Sequence, residues 1–308
     1  MNKKLEKVVI TGATGFIGSN LAQKLLLEGA KVYGVGRNEE KLNAMKQYGD
    51  FVPIAASFEQ YCKLHELIDD RDFDMFWHFA WEGIRPTALI HSDYSVQIRN
   101  IQVTCDAAMS AVKLRSNNSS TLGSSAQFYT IGIKSGEVAF NPSLYGAAKK
   151  CALDLFKCIA YENNMNCINI ITSNTFGVGD SLNAATVFFI KQLLTNEPVN
   201  LVSGDYPKDL THIDDVVNGI ICAAKSDKKY ADYYIGHRKI TTFKEKLTTM
   251  KSILSSESEL MFGTYPEMQH VDYSQLDLDA LYRDTGFEAK DNFAKNILKT
   301  AEWIKSLN

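Results

Sequence analysis

Short apolar runs alternate with stretches that carry apolar residues at helical spacing along the first half of the chain. Val8 to Ile10 predicts a buried strand, and Phe16 to Leu27 has apolar groups three or four positions apart, as amphipathic helices do. Lys31 to Asn38 and Phe51 to Ala55 predict a second and a third strand. Phe73 to Ala80 is a nearly continuous apolar run, which favours a strand buried on both faces.

The same alternation continues beyond these elements. Glu39 to Tyr48 and Glu59 to Ile68 predict short helices, and Gln97 to Leu114 predicts a long one. Asn117 to Ser125 is a polar stretch that predicts a strand, followed by a helix that opens near Asn141–Lys149 and runs to about Glu162. Repeated strand–helix units indicate an α/β fold with a doubly wound parallel sheet and right-handed crossovers.

Three glycines follow the first predicted strand at once. Gly12 permits the sharp turn, Gly15 lets the backbone approach a pyrophosphate, and Gly18 allows close packing of the helix on the sheet. Phosphates would lie against the free N–H groups and the positive end of the helix dipole. A packing turn alone does not need three glycines at these offsets, so the stretch predicts a dinucleotide site. Its expected contacts also include Thr14, Phe16 and Ile17.

The end of the second strand bears on the choice of cofactor. NAD sites usually place Asp or Glu there, about twenty residues after the turn, to accept from the adenosine ribose. This chain has Gly36 and then Arg37. A guanidinium without a neighbouring acid suits a 2′-phosphate, which favours NADP. The alternatives are NAD as cofactor and Arg37 as an ordinary solvated loop cation.

The fourth strand ends at His78, Ala80 and Trp81. Ligands of doubly wound sheets lie at the carboxyl ends of the strands. We therefore expect Ala80 and Trp81 to line the cofactor cleft, although Trp81 could also simply cap the core.

Tyr145 and Lys149 are four positions apart and share one face of a predicted helix. The pKa of a phenol in water is about 10, which is too high for easy proton exchange near neutrality. A nearby ammonium favours the phenolate and makes Tyr145 a usable general acid or base. Lys149 could also hold the nicotinamide ribose, and Ser125 could donate to a developing oxyanion. The three residues are the candidate catalytic set.

Composition narrows the class of partner. The chain has 308 residues, 45% of them hydrophobic, and a formal net charge of −3. Charges of both signs are interspersed, so neither nucleic acid nor a membrane surface is an expected partner. There is no apolar run of membrane-spanning length and no signal-like start, which favours a cytoplasmic protein. Cysteines and histidines lack metal-ligand spacing, so no metal is expected, and most cysteines are predicted to be reduced core residues.

The ordered motifs resemble those of extended short-chain dehydrogenases/reductases of the nucleotide-sugar epimerase/dehydratase/reductase type. The resemblance covers nearly the whole chain. The segments that carry it are Thr11 to Gly18, His78 to Trp81, Ser124 to Ala126, Tyr145 to Lys149, Ser173 to Asp180 and Lys208 to Asp215. Trp81 departs from the alanine usual in the second segment, and Lys208 replaces the usual arginine, whose bidentate grip an ammonium lacks.

The resemblance implies an enzyme with a Rossmann-like sheet and a smaller C-terminal substrate lobe. Residues 1–173 and 208–235 would form the NAD(P)-binding domain, and 174–207 and 236–308 the lobe. It also implies that Asn100 supports the cofactor site and that Asn174 binds a nucleotide-sugar substrate. A homodimer would pair the helices Gln97–Leu114 and Tyr145–Glu162.

Departures from the family pattern favour one reaction. Related 4,6-dehydratases carry an Asp–Glu pair where this chain has Ala126 and Gln127, so dehydration is disfavoured. The expected function is NAD(P)-dependent reduction of a nucleotide-linked 4-keto sugar, and a looser likeness to CDP-paratose and CDP-abequose synthases supports that substrate class. The expected substrate contacts are Arg85, Ser125, Ala126, Gln127, Asn174 and Lys208. The alternatives are a 4-epimerase with tightly bound NAD and a non-catalytic NADP-binding sensor.

Overall fold

A computed structural model describes residues 4–83, 93–124, 129–130, 143–172, 174–266 and 270–307. Its strands are β1 (Lys7–Thr11), β2 (Lys31–Gly36), β3 (Phe51–Ala55), β4 (Met75–His78), β5 (Asn118–Ser124), β6 (Tyr129–Thr130), β7 (Asn166–Thr172), β8 (Asn174–Phe176), β9 (Val199–Leu201), β10 (Leu210–His212), β11 (Tyr230–Ile235), β12 (Leu260–Phe262) and β13 (His270–Val271). Its α-helices are α1 (Phe16–Leu27), α2 (Glu39–Ala44), α3 (Tyr94–Lys113), α4 (Leu144–Glu162), α5 (Ala185–Thr195), α6 (Ile213–Ala224), α7 (Phe243–Ile253), α8 (Ala280–Thr285) and α9 (Phe293–Ser306).

Seven strands form one parallel sheet in the order β11-β7-β5-β4-β1-β2-β3. The chain winds outward from β1 in both directions, so the strand order reverses between β1 and β4. In doubly wound sheets the ligand crevice lies outside the carboxyl ends of the strands at this reversal. The predicted α/β class and Rossmann-like parallel sheet are confirmed.

Both faces of the sheet are covered. Val8 and Ile10 of β1 belong to a core shared with α1 and α6, whereas Val9 points into a second core shared with α3 and α4. Successive side chains of a strand point to opposite faces, and here both faces are buried. This explains the unbroken apolar run at the start of the chain. A third core joins α5, α7, α9 and the short strand β9.

The polar strand β5 lies inside the sheet, between β4 and β7, and the sequence predicted a strand at this segment. Two of its side chains have backbone partners: the Ser119 hydroxyl donates to the Asn166 carbonyl at 2.9 Å, and the Asn118 amide donates to the Asp74 carbonyl at 2.8 Å. The buried Ser120 hydroxyl has no partner among the described residues. Hydrogen bonding of this kind removes most of the cost of burying polar side chains.

Several expected elements differ in detail. The segment Phe58–Glu66 is a 3₁₀ helix rather than an α-helix, and it is interrupted at Lys63, whose φ and ψ are −118° and 15°. The helix expected from Gln97 begins earlier, at Tyr94, where the Asp93 carboxylate accepts from the Ser95 N–H. The expected strand Phe73–Ala80 is limited to β4.

The prediction that most cysteines are core residues was wrong. Only Cys167 is buried; Cys105 and Cys222 are half-buried, and Cys62, Cys151 and Cys158 are exposed. Cys151 and Cys158 lie on the outer side of α4. Their apolar spacing could not show whether that face of the helix packs on the sheet or faces outward.

Candidate active site

The glycine-rich turn joins β1 to α1 at the crevice. Gly12 has φ +72°, and a Cβ there would lie 2.8 Å from the Ala80 backbone nitrogen. A Cβ on Gly18 would lie 2.2 Å from the Gly12 carbonyl oxygen. Real Cβ atoms essentially never come so close, so both positions require glycine. The turn is thereby pressed against the end of β4 on one side and against α1 on the other.

The start of α1 presents free backbone donors. Gly15 is the N-cap, no side chain of the described residues caps the first turn, and the first turn holds no acidic residue. The first N–H groups of a helix have no partner within the helix, and together with the dipole they favour an anion. Phe16 and Ile17 contribute the first of these donors, and Thr14 faces the end of β2, where a Cβ on Gly36 would meet its hydroxyl at 3.2 Å. These residues fit the diphosphate of a dinucleotide.

A chain of buried polar groups ties the crevice together. The His78 ring contacts the Thr11 hydroxyl at 2.8 Å through Nδ1 and the Thr104 hydroxyl at 3.1 Å through Nε2. Thr104 donates to the carbonyl of Asn100 at 2.8 Å. Burial, with a smaller effect of the charge on Lys149, lowers the pKa of His78 to about 3. The ring is therefore neutral and acts as a cross-link between β1, β4 and α3.

Tyr145 and Lys149 lie one turn apart near the start of α4. The Ser143 hydroxyl caps this helix by accepting from the Gly146 N–H at 2.9 Å. Both side chains are buried, and each residue is only 8% exposed. The Lys149 Nζ lies 5.9 Å from the centre of the Tyr145 ring. Burial lowers the pKa of Lys149 to about 7.

Trp81 packs on this pair. The Lys149 Nζ lies 3.8 Å from the centre of the Trp81 ring, and the Tyr145 ring meets Trp81 edge to face at 6.1 Å. The indole N–H donates to Gln97 at 3.2 Å, and the Ala80 N–H reaches the Thr11 hydroxyl at 3.4 Å. A ring quadrupole favours the charged form of a nearby ammonium, which opposes the effect of burial.

The environment of Arg37 differs from the one expected. Its guanidinium forms an ion pair with Glu82 and lies 5.9 Å from the centre of the Phe58 ring. The same carboxylate also pairs with Arg99 of α3. The sequence analysis did not identify Glu82 or Arg99 as site residues. The sequence around a loop residue such as Glu82 does not indicate which distant cation its side chain contacts.

Gln97 was also missed, although the sequence held a signal for it. It lies one helical turn before Asn100, and the Asn100 amide donates toward the Gln97 oxygen at 3.4 Å. Residues three apart on a helix are neighbours, so an asparagine expected at the site marks Gln97 as a candidate.

Of the candidate substrate residues, Asn174 contacts Asp209 and Lys208 precedes it in the chain. The Asn174 amide donates to the Asp209 carbonyl at 3.4 Å, because β8 and β10 pair in parallel. The fully buried Asp209 carboxylate accepts from the Tyr234 hydroxyl at 2.7 Å and pairs with the His237 ring at 2.6 Å. Hydrogen bonding to Asp209 raises the pKa of His237. The neighbouring Lys208 lies over Phe243 with its Nζ 4.7 Å from the ring centre, and burial lowers its pKa to about 8.

Four candidates, Arg85, Ser125, Ala126 and Gln127, lie outside the described residues, so their roles remain predictions. Among the described residues no group of three or more His, Cys, Asp or Glu side chains could hold a metal ion. No helix in the described part of the chain is long and apolar enough to cross a membrane.

The fold and site define a class of protein: a Rossmann-type α/β chain with a dinucleotide turn and a buried tyrosine–lysine pair at one crevice. The chain belongs to the NAD dependent epimerase/dehydratase family, whose family model matches residues 8–236. The resemblance to extended short-chain dehydrogenases/reductases is thereby confirmed, and the protein is an enzyme of this family.

Solved structures share the whole fold. The UDP-glucose 4-epimerase of Thermotoga maritima, solved with UDP-glucose, is 20% identical and covers 98% of this chain and 100% of its own, with a TM-score of 0.77. The UDP-glucuronic acid 4-epimerase of Bacillus cereus, solved with UDP-glucuronic acid and NAD, has the same identity, coverage and TM-score. CDP-abequose synthase of Yersinia pseudotuberculosis is 26% identical over 231 residues, 73% of this chain and 76% of the relative.

Proposed function

We propose that the protein carries out hydride-transfer chemistry at C4 of a nucleotide-linked sugar, with Tyr145 as general acid and base. The observation that carries this proposal is the burial of Tyr145 and Lys149 together beside the dinucleotide turn. A bound nicotinamide supplies the hydride acceptor and donor. The chain supplies the proton at the Tyr145 hydroxyl and the charge that tunes it.

Lys149 governs the protonation of Tyr145. With a pKa of about 7, its amine exchanges a proton in the neutral range, and its charged form favours the phenolate of Tyr145. Trp81 covers this pair and excludes water from it, which strengthens the interaction between the two groups. The arrangement suits a proton transfer to or from a sugar hydroxyl.

Two reactions use this machinery. An epimerase inverts C4 with no net change of redox state and keeps its cofactor, whereas a ketoreductase consumes NADPH. The reductase hypothesis relied on an unpaired Arg37, and the ion pair with Glu82 weakens that argument. Because 4-epimerases match nearly the whole chain, we favour a 4-epimerase that uses NAD.

A 4-ketoreductase is the second candidate. It is favoured by the absence of an acid at the end of β2, where Gly36 precedes Arg37, and by the likeness to CDP-abequose synthase. In that case Arg37 would leave Glu82 and bind a 2′-phosphate.

Cofactor retention separates the two reactions. Freshly purified protein is denatured and the released nicotinamide is identified and counted. An epimerase releases NAD in near-stoichiometric amount, and the same preparation inverts C4 of UDP-glucose or UDP-glucuronic acid, followed by NMR. Empty protein that oxidises NADPH with a nucleotide-linked 4-keto sugar establishes the reductase. Failure of both assays with every nucleotide sugar tried would contradict the proposal and favour the non-catalytic sensor.

We further propose a homodimer formed by α3 and α4. These helices pack side by side, and each leaves an exposed or half-exposed stripe at helical spacing. The stripe comprises Tyr94, Ile98, Cys105 and Met109 on α3, and Leu144, Cys151, Leu155 and Cys158 on α4. An apolar stripe on two adjacent helices supports pairing with the same stripe of a second copy.

A further inference from the structure

A carboxylate lies beside the end of β2, where the sequence indicated no acid. Glu82 follows β4, and its side chain is only 17% exposed. One carboxylate oxygen contacts Arg37 and the other contacts Arg99. The two guanidinium groups are more accessible, with 65% and 47% of their side chains exposed. One partly buried acid is therefore shared by two outward-facing cations.

The backbone of Glu82 is fixed from both sides. The Asn100 side-chain oxygen accepts from the Glu82 N–H at 3.0 Å, and the Asn100 amide donates to the Glu82 carbonyl at 2.9 Å. Asn100 itself is 1% exposed and is held within α3. The direction of the Glu82 side chain therefore depends on a rigid buried contact, which is the condition for a precise binding residue.

The strand order places this acid across the cofactor crevice. In the sheet β1 lies between β4 and β2. Arg37 comes directly after β2 and Glu82 shortly after β4, so their ion pair passes beside the end of β1, where the glycine turn begins. The ion pair therefore links the end of β2 to the end of β4. A dinucleotide bound to the glycine turn would lie between these two strand ends.

The chemistry of a carboxylate here discriminates between the two cofactors. An acid at the end of β2 normally accepts from the adenosine ribose hydroxyls of NAD. A carboxylate offers about four acceptor positions, and two arginine contacts leave room for hydroxyl donors. Toward a 2′-phosphate the same group is repulsive, and it already engages the guanidinium that a phosphate would need.

We propose that Glu82 is the residue that determines cofactor specificity: it supplies from β4 the ribose acceptor that β2 lacks, and it disfavours NADP. This inference rests on the proposed function only in requiring a nicotinamide dinucleotide as cofactor. It explains how a chain with Gly36 and Arg37 at the end of β2 belongs to a family that uses NAD.

Cofactor affinity tests the inference without any turnover. The full chain is freed of bound nucleotide, and the dissociation constants of NADH and NADPH are measured by nicotinamide fluorescence and by calorimetry. Glu82→Gln keeps the shape and removes the charge. We expect it to weaken NADH about tenfold or more and to strengthen NADPH severalfold. Glu82→Asp, which keeps the charge but shortens the side chain, should weaken NADH and leave NADPH nearly unchanged.

Arg99→Gln is the matched control, because it removes one partner of Glu82 and leaves the ion pair with Arg37. It should change the ratio of the two dissociation constants much less than Glu82→Gln. An unchanged ratio in Glu82→Gln, or an equal loss for both cofactors, overturns the inference. If Glu82→Gln does not fold, the ratio in Glu82→Asp decides by the same criterion. A shifted ratio in a protein that turns over no sugar would leave the specificity inference standing while the proposed function fails.

Discussion

Tyr145 is the residue on which the proposed chemistry depends most directly. We expect Tyr145→Phe to lower turnover by about 100- to 10,000-fold, the usual contribution of a positioned general acid or base. Cofactor affinity should stay within about twofold, because the ring and its contact with Trp81 remain. Steady-state kinetics and cofactor titration measure the two effects.

Tyr161→Phe provides the control for this change. Tyr161 lies on the same helix but is 72% exposed, so its substitution should leave turnover unchanged. Equal activity in Tyr145→Phe and the wild type would contradict the assigned role.

The burial of Lys149 should make the free energy of unfolding depend on pH. Its ammonium has a pKa of about 7 in the folded chain, against 10.5 for the free group. Burying the charge therefore destabilises the native state fully below pH 7, and the penalty shrinks as pH rises toward the value of the unfolded chain. Lys149→Met removes the penalty, so we expect it to stabilise the protein at pH 7 by about 4 kcal/mol, since each unit of pKa difference corresponds to about 1.4 kcal/mol.

Urea unfolding at pH 7 and at pH 9.5 measures this effect. The gain should be clearly smaller at the higher pH. Lys150→Met, at the exposed neighbouring position, should show no such dependence. A gain that is independent of pH would mean that the ammonium is not penalised by burial.

At the scale of elements, two glycines of the β1–turn–α1 unit allow effects on stability and effects on cofactor binding to be tested separately. Gly15 has an ordinary φ of −80°, and a Cβ there would lie 3.2 Å from the Gly12 carbonyl oxygen. We expect Gly15→Ala to change the melting temperature by only a few degrees but to weaken dinucleotide binding at least about tenfold, because the Cβ stands where the pyrophosphate approaches.

Gly18→Ala is the companion variant. Its Cβ would lie 2.2 Å from the same carbonyl oxygen, so turn and helix must move apart. Thermal unfolding should show a loss of stability of about 1–3 kcal/mol, as overpacking usually costs. If Gly15→Ala binds cofactor as the wild type does, the assignment of the turn to the pyrophosphate is wrong.

Elements also show where local pattern was sufficient. The strands β1 to β5 and the helices α1 to α4 were predicted because each element has a period that neighbouring residues alone set. The strands β7 and β11 of the same sheet and the helix α6 were not predicted. A helix was also predicted near Phe58–Glu66, but its 3₁₀ type and the interruption at Lys63 were not, since its apolar spacing suits either helix type.

At the scale of the whole molecule, the predicted homodimer is open to test. Ile98 is 61% exposed and Leu155 41%, and each lies within an apolar stripe. We expect the double variant Ile98→Glu, Leu155→Glu to be monomeric by size-exclusion chromatography with light scattering, because paired helices would bury the two charges.

Leu298→Glu is the matched control for the dimer. Leu298 is 46% exposed on α9, away from both stripes, and its substitution should leave the oligomeric state unchanged. A wild-type protein that is monomeric at micromolar concentration would contradict the proposal.

The sequence alone determined the strands β1 to β5, the glycine turn and the tyrosine–lysine pair. Each depends on residues close together in the chain: a strand needs a short apolar or polar run, the turn spans Gly12 to Gly18, and Tyr145 and Lys149 are one helical turn apart. Only the tertiary structure decided the surroundings of those residues. Arg37 and Glu82 are 45 positions apart, and Asp209 and His237 are 28 apart. Such pairs meet because crossover connections bring the ends of separate strands to one edge of the sheet, and local spacing contains no information on which side chains will meet there.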